Sequence, residues 1–163
     1  MVLYKGLGGT VVLPKMVFLD REDGGHLIVR PPTDVWERSE LSPADFIQWC
    51  FLVAATGRAM IDVLPQLDGG CVNYFEAGNW ALNERAPPKG PKRAPEHRSV
   101  HMHIFGRSRS AKHPSWRWGE APRLPDYKDR QAWTRGFAPL EEKEAKAIMK
   151  RAHTILKEWK ERQ

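Results

Sequence analysis

Two histidines separated by a single residue, His101 and His103, stand in the segment Ser99-Val100-His101-Met102-His103-Ile104-Phe105-Gly106-Arg107. In an extended chain alternate residues share a face. Ser99, His101, His103 and Phe105 then point one way, and Val100, Met102 and Ile104 point the other way into a core. The two imidazoles are expected ~7 Å apart on one exposed strand face, two rises of ~3.3 Å. Three readings fit. A neutral imidazole is a nucleophile near neutral pH and can form a covalent phosphoryl-type intermediate. A second histidine can then donate to the non-bridging oxygens, with backbone amides sharing the charge. Alternatively, His97, His101 and His103 supply three zinc ligands and leave one position open for water, although no acidic residue is clearly placed behind them. The plainest reading is two solvated histidines on a half-buried strand, and polar residues grouped beside a Gly-Arg pair speak against it.

These side chains need a scaffold. Residues 10–20 are rich in β-branched and apolar residues, with Pro14 separating two extended pieces. Residues 16–20 and 26–30 read as a hairpin around Gly24-Gly25. Ser42, Pro43 and Asp45 form a helix start, and the apolar positions Phe46, Trp49/Cys50, Val53, Met60 and Leu64 carry the helix to Pro65. The spacing predicts a helix over 43–64 with one face on a sheet. Residues 70–75 and 100–105 read as further strands. Residues 85–98 are loop by composition and strongly basic. Residues 107–138, with many Trp, Pro and Arg, are expected to wrap the surface. Residues 139–163 predict a second amphipathic helix, acidic at its start and basic at its end.

Composition sets the outer bounds. The chain has 163 residues, with 41% hydrophobic and 28% charged residues, which suits one globular domain over 1–163. No uninterrupted apolar run approaches the ~18 residues of a membrane span, and the N-terminus is too broken by glycine for a signal peptide. The expectation is therefore a cytoplasmic protein with no membrane partner. Cys50 and Cys71 lack CxxC spacing and read as buried free thiols. A net charge of +6 attracts anions, nucleotides and nucleic acid among them. Trp36, Trp80, Trp116, Trp118 and Trp133 can line an interface or a base-stacking pocket, or simply pack under loops.

The residues around His101 and His103 resemble the histidine-triad family, whose pattern is three alternating histidines followed by apolar residues. Phe18-Leu19-Asp20 and Gly25-His26-Leu27-Ile28-Val29-Arg30-Pro31 are similar to that family's hairpin. Ser39 to Pro43 is similar to its helix start, and Val72-Asn73 to its asparagine-bearing strand. The similarity covers about residues 12–76 and 98–107. Residues 106–112 and 119–121 are similar to the tail of a bacterial subgroup. The flank Ile104 to Arg107 puts His103 at the third position and His101 at the middle one. Ser99 then stands first, so the triad is incomplete. A shifted register would make His103 the middle residue and Phe105 the lost third.

The resemblance implies an α+β fold, an antiparallel sheet with one long helix packed on it and a C-terminal helix. It implies a nucleotide phosphoramidase, hydrolase or nucleotidyl transferase that acts at an α-phosphate through a nucleotidyl-histidine on His101, without a metal or other cofactor. His103 would bind the phosphate, His26 would orient the site, Asn73 and Arg107 would contact nucleotide or phosphate, and Ser99 would hydrogen-bond the leaving group. Many members of the family pair as dimers by joining sheets. The basic loop at 85–98 could recruit a polyphosphate or nucleic acid. The other function classes are a nucleotide- or nucleic-acid-binding module without strong catalysis, and the His97/His101/His103 metallohydrolase.

Overall fold

The computed structural model describes residues 1–162. Its order is β1 (Val2–Gly6), β2 (Gly9–Val12), β3 (His26–Arg30), α1 (Pro43–Val63), β4 (Cys71–Ala77), α2 (Ala94–His97), β5 (His101–Arg107), α3 (Arg130–Trp133) and α4 (Glu142–Lys160). The strands form one five-stranded sheet, β1-β2-β3-β5-β4, antiparallel at every pairing. This is an α+β fold with a long helix on the sheet and a C-terminal helix.

α1 begins as its residues dictate. Ser42 Oγ accepts the Asp45 amide at 3.1 Å, Pro43 occupies the first turn, and Pro65 follows the C-cap Leu64. Trp49, Leu52, Ala55, Ala59 and Met60 are buried together with Ala145, Ile148, Ala152 and Ile155 of α4. α4 opens on a capping box, with Glu141 as N-cap and Glu144 returning to its backbone. By length and composition α1 could cross a membrane, but its buried stripe is a core face. Val100, Leu27, Val29 and Ile104 supply the sheet's half of that core, with Met102 packed against it. Burying each large aliphatic side chain stabilises the fold by about 1.5–3 kcal/mol.

The opposite sheet face is also covered, which corrects the expectation of an exposed histidine face. Leu19, Phe105 and Trp116 form a second buried cluster, with Phe18, Ala111 and Leu124 against it. The segment after β5 folds back over this face. Asp23 fastens it, because its carboxylate accepts the amides of Lys112 at 2.7 Å and His113 at 3.0 Å.

Residues 16–20 are not a strand. β3 pairs instead with β2, Val11 opposite Val29, and β1 with β2 forms an N-terminal hairpin that the reading above lacks. Val17 and Leu19 bury their side chains without joining a ladder. Asp20 caps the following turn, accepting from the Glu22 amide at 2.9 Å and the Ala138 amide at 2.7 Å. Cys50 is exposed and Cys71 half-buried, so neither is the buried thiol expected: Cys50 lies on an open apolar surface of α1 with Phe46, Ile47 and Ala54. The C-terminal helix is shorter than 139–163, and Gln163 lies outside the described residues. The loop 85–98 contains the single turn α2.

The turn beside the histidines packs backbone against backbone. The Gly106 amide donates to the Gly25 carbonyl at 3.0 Å. A Cβ on Gly106 would lie 2.1 Å from the Gly24 carbonyl oxygen, and Gly24 itself has φ +138°. Gly106→Ala is therefore expected to cost about 2–3 kcal/mol, read as a lower urea midpoint at unchanged m value.

Candidate active site

β5 presents His101 and His103, and its two neighbours complete the surroundings. His103 stands between Ile28 of β3 and Phe75 of β4, His101 beside Ala77, and His26 opposite Phe105. Register alone therefore gathers His26, His101 and His103 on one sheet face. The rings are closer than the strand rise implies, because the side chains lean together. Ring centroids are 4.8 Å apart for His101 and His103, and 5.0 Å for His26 and His103. Phe105 lies under both His26 and His103, nearly parallel to the latter at 7°.

Hydrogen bonds assign the protons. His101 Nδ1 lies 2.9 Å from the Ser99 carbonyl. A carbonyl only accepts, so Nδ1 carries the proton and neutral His101 keeps its lone pair on Nε2. The Phe18 amide donates to His26 Nδ1 at 3.4 Å. That nitrogen is therefore the acceptor, and the His26 proton sits on Nε2. His26 Nε2 lies 2.7 Å from His103 Nδ1 and donates to it. His103 then carries its own proton on Nε2. One imidazole ends in a lone pair and the next in an N–H, on the same face.

The surroundings keep all three rings neutral. Burial pushes His26 well below the usual histidine range, helped by repulsion from His103 and His101. Burial also pushes His103 down to about 3, with His101 adding to the effect. His101 is lowered mainly by burial, against an opposing pull from the Ser99 carbonyl.

A cavity of about 470 Å³ opens beside His101 and His103, lined by Phe18, Phe75, Trp80 and Leu124 and by Ser99 and His97. That size is in the range of small-molecule sites, which are mostly apolar with a few placed polar groups. Phe18 packs edge-on against Trp80, with centroids 5.0 Å apart. Ser99 Oγ donates to Asp34 at 2.5 Å.

Two expected contacts are elsewhere. Arg107 is buried and donates to the carbonyls of Arg117 and Glu120, so its guanidinium ties down the covering segment and does not line the cavity. Asn73 shares the histidine face but sits one pair further along, opposite Phe105. It too is absent from the lining, and its Oδ1 is buried without a partner. His97 lines the cavity, yet among the described residues no three His, Cys, Asp or Glu side chains group tightly enough to hold a metal ion. The His97/His101/His103 zinc set is therefore not assembled, because the His97 ring sits on α2 and bonds the Arg93 carbonyl. Part of the basic loop's charge is turned inward. Lys92 donates to the Asn83 and Ala86 carbonyls, and Arg98 pairs with Glu37 and Glu76.

Phe75 was legible from strand alternation, since it shares a face with Asn73. Leu124 and Asp34 carry no sequence signal, because irregular segments bring them in, and Phe18 is marked only by the resemblance of residues 18–20 to a family hairpin. The chain matches no protein-family model, and no curated protein matches it.

Proposed function

We propose that this chain is an enzyme of the histidine-triad type that cleaves nucleoside phosphates at the α-phosphorus, by hydrolysis or nucleotidyl transfer. The observation that carries the reading is the Ser99 carbonyl on His101 Nδ1, which leaves Nε2 as a lone pair beside the cavity. His101 attacks phosphorus through Nε2, the bond from phosphorus to the leaving group breaks with its electron pair on the leaving group, which takes a proton from water, and a nucleotidyl-imidazole forms. As that ring gains positive charge, the carbonyl accepts a stronger hydrogen bond from it. His103 donates Nε2–H to a non-bridging oxygen. The aromatic lining suits a nucleobase, whose flat face stacks on such side chains. A neutral nucleophile and a neutral donor suit an anionic substrate that has shed its water in an apolar cavity.

A binding module without strong catalysis is the second reading, and Ser99 at the first triad position favours it. Trapping separates the two. Labelled adenosine monophosphoramidate is mixed with enzyme and quenched in alkali, where a phosphorus–imidazole bond survives, and the adduct is mapped by mass spectrometry. The enzyme reading expects label on His101. Binding without label, together with full turnover by His101→Ala of any residual activity, sinks it.

The same reading takes a second copy as partner. β4 is an outer strand of the sheet, Tyr74 on it is 47% exposed, and Phe46 and Ile47 on α1 are 37% and 52% exposed. A free strand edge and an apolar helix face suit self-association, which sedimentation of the purified chain reads directly.

A further inference from the structure

Release of a nucleotide from His101 needs a base, and the two buried histidines are already committed. Once phosphorus occupies His101 Nε2, that ring has only its Nδ1 proton, held by the Ser99 carbonyl. His103 presents N–H to the cavity, and its other nitrogen is filled by His26. Ser99 also lines the cavity, and its hydroxyl proton is directed at Asp34 Oδ1 across 2.5 Å. The lone pairs of Ser99 Oγ are therefore left to accept from something else. Backbone and ion pairs fix this arrangement. The Val100 amide donates to the Val35 carbonyl at 2.9 Å. Arg98 donates to the Trp36 carbonyl at 2.6 Å and pairs with Glu37 at 2.6 Å and Glu76 at 3.2 Å. Segment 34–37 is thus clasped along the chain that enters β5. The residue whose carbonyl sets the nucleophile's tautomer also holds a carboxylate-backed hydroxyl.

Resting on the reading above, we propose that Ser99 is the catalytic base of the hydrolytic half-reaction, with Asp34 as the positioning residue that takes up its proton. A water donates one proton to Ser99 Oγ while its oxygen bonds to phosphorus. The Ser99 hydroxyl proton passes to the Asp34 carboxylate. The phosphorus–Nε2 bond breaks and its electron pair stays on His101, which returns to neutral imidazole with the proton on Nδ1. The nucleoside monophosphate leaves, and Asp34, exposed to solvent, releases the proton to water. Formation of the adduct uses neither side chain: the Ser99 hydroxyl proton is directed at Asp34 and not at the leaving group, so of this pair only the Ser99 backbone carbonyl serves the attack. The serine at the first triad position is therefore a replacement with a function of its own.

The p-nitrophenyl ester of adenosine monophosphate separates the two halves. Its coloured product reports adduct formation as a burst, and the steady state reports breakdown. In Ser99→Ala the burst rate is expected to stay within about twofold of wild type while steady-state turnover falls about 10²-fold. Asp34→Asn should fall at least about tenfold, and Ser99→Thr, which keeps a hydroxyl, should recover most of the rate. Added formate should restore turnover to Asp34→Ala and not to Ser99→Ala. A wild type that releases no p-nitrophenol and forms no adduct removes the enzyme reading and this proposal with it. A normal wild-type burst with unchanged steady state in Ser99→Ala overturns only the proposal. The same holds if His97→Ala, which removes the other base lining the cavity, alone slows breakdown, or if Ser99→Ala slows burst and steady state equally. Unfolding midpoints of the variants, taken alongside, identify any loss that comes from folding.

Discussion

Replacing His101 by alanine is expected to lower kcat/KM for adenosine monophosphoramidate by about 10³-fold or more. Affinity for adenosine monophosphate should change by less than about threefold, because on the proposed reading the base and ribose use the aromatic wall of the cavity and not the nucleophile. The split follows from geometry. The lone pair of His101 Nε2 exists only because Nδ1–H is held by the Ser99 carbonyl at 2.9 Å, and no other ring on this face offers one to phosphorus. His103 presents a donor there, its tautomer fixed by the hydrogen bond from His26. His103→Gln, which keeps an N–H in place of the imidazole, should lose less than His103→Ala. Removing a single oxyanion donor typically costs about 10²–10³-fold. Added imidazole should restore part of the activity of His101→Gly and none to His103→Ala, since only the former leaves a cavity where a nucleophile belongs. Rates equal to wild type in His101→Ala would show that phosphorus is attacked by another group.

How far the sequence foretold this site depends on how local each signal is. The alternation in Ser99 to Phe105 placed His101 and His103 on one face, and pairing with β3 and β4 adds His26 to them. The Ser42-Pro43 start of α1 was legible for the same reason, since a cap and its amide lie three residues apart. Residues 16–20 misled because apolar β-branched composition marks burial as readily as strand pairing. Val17 and Leu19 are buried, but the Phe18 amide goes to His26 and not to a neighbouring strand. Arg107 misled in another way. A basic residue at the end of a histidine strand suits a phosphate, yet the covering segment presents it with two backbone carbonyls, and buried carbonyls need donors as much as a ligand does. The tautomers rest on the Ser99 carbonyl and the Phe18 amide. Backbone groups have no sequence signature, so no inspection of residue types could assign them.

Acid should destabilise the folded protein through its buried histidines. Burial holds His26 well below the ordinary histidine range and His103 down to about 3, whereas both take up protons near pH ~6.5 once the chain is unfolded. A depressed folded-state pKa gives stability that is complete above the unfolded value. It is lost as pH falls through the interval below ~6.5, where the unfolded chain binds protons and the folded one does not. Each histidine contributes a slope of about 1.4 kcal/mol per pH unit there. The pair should therefore remove about 2 kcal/mol between pH 6 and 5, a sizeable part of an ordinary domain's total of about 5–15 kcal/mol. The lowered carboxyl groups of Glu37, Glu141 and Glu142 contribute in the same direction only when pH enters the carboxylate range, below this window. Urea titrations at half-unit steps test the slope. His103→Gln should lower it, and a slope unchanged in both His103→Gln and His26→Gln would show that these imidazoles do not carry it. The consequence for activity follows from His101, which is also lowered mainly by burial. On the proposed reading, the acidic edge of kcat/KM should therefore fall below the usual histidine range, which a pH–rate profile reads.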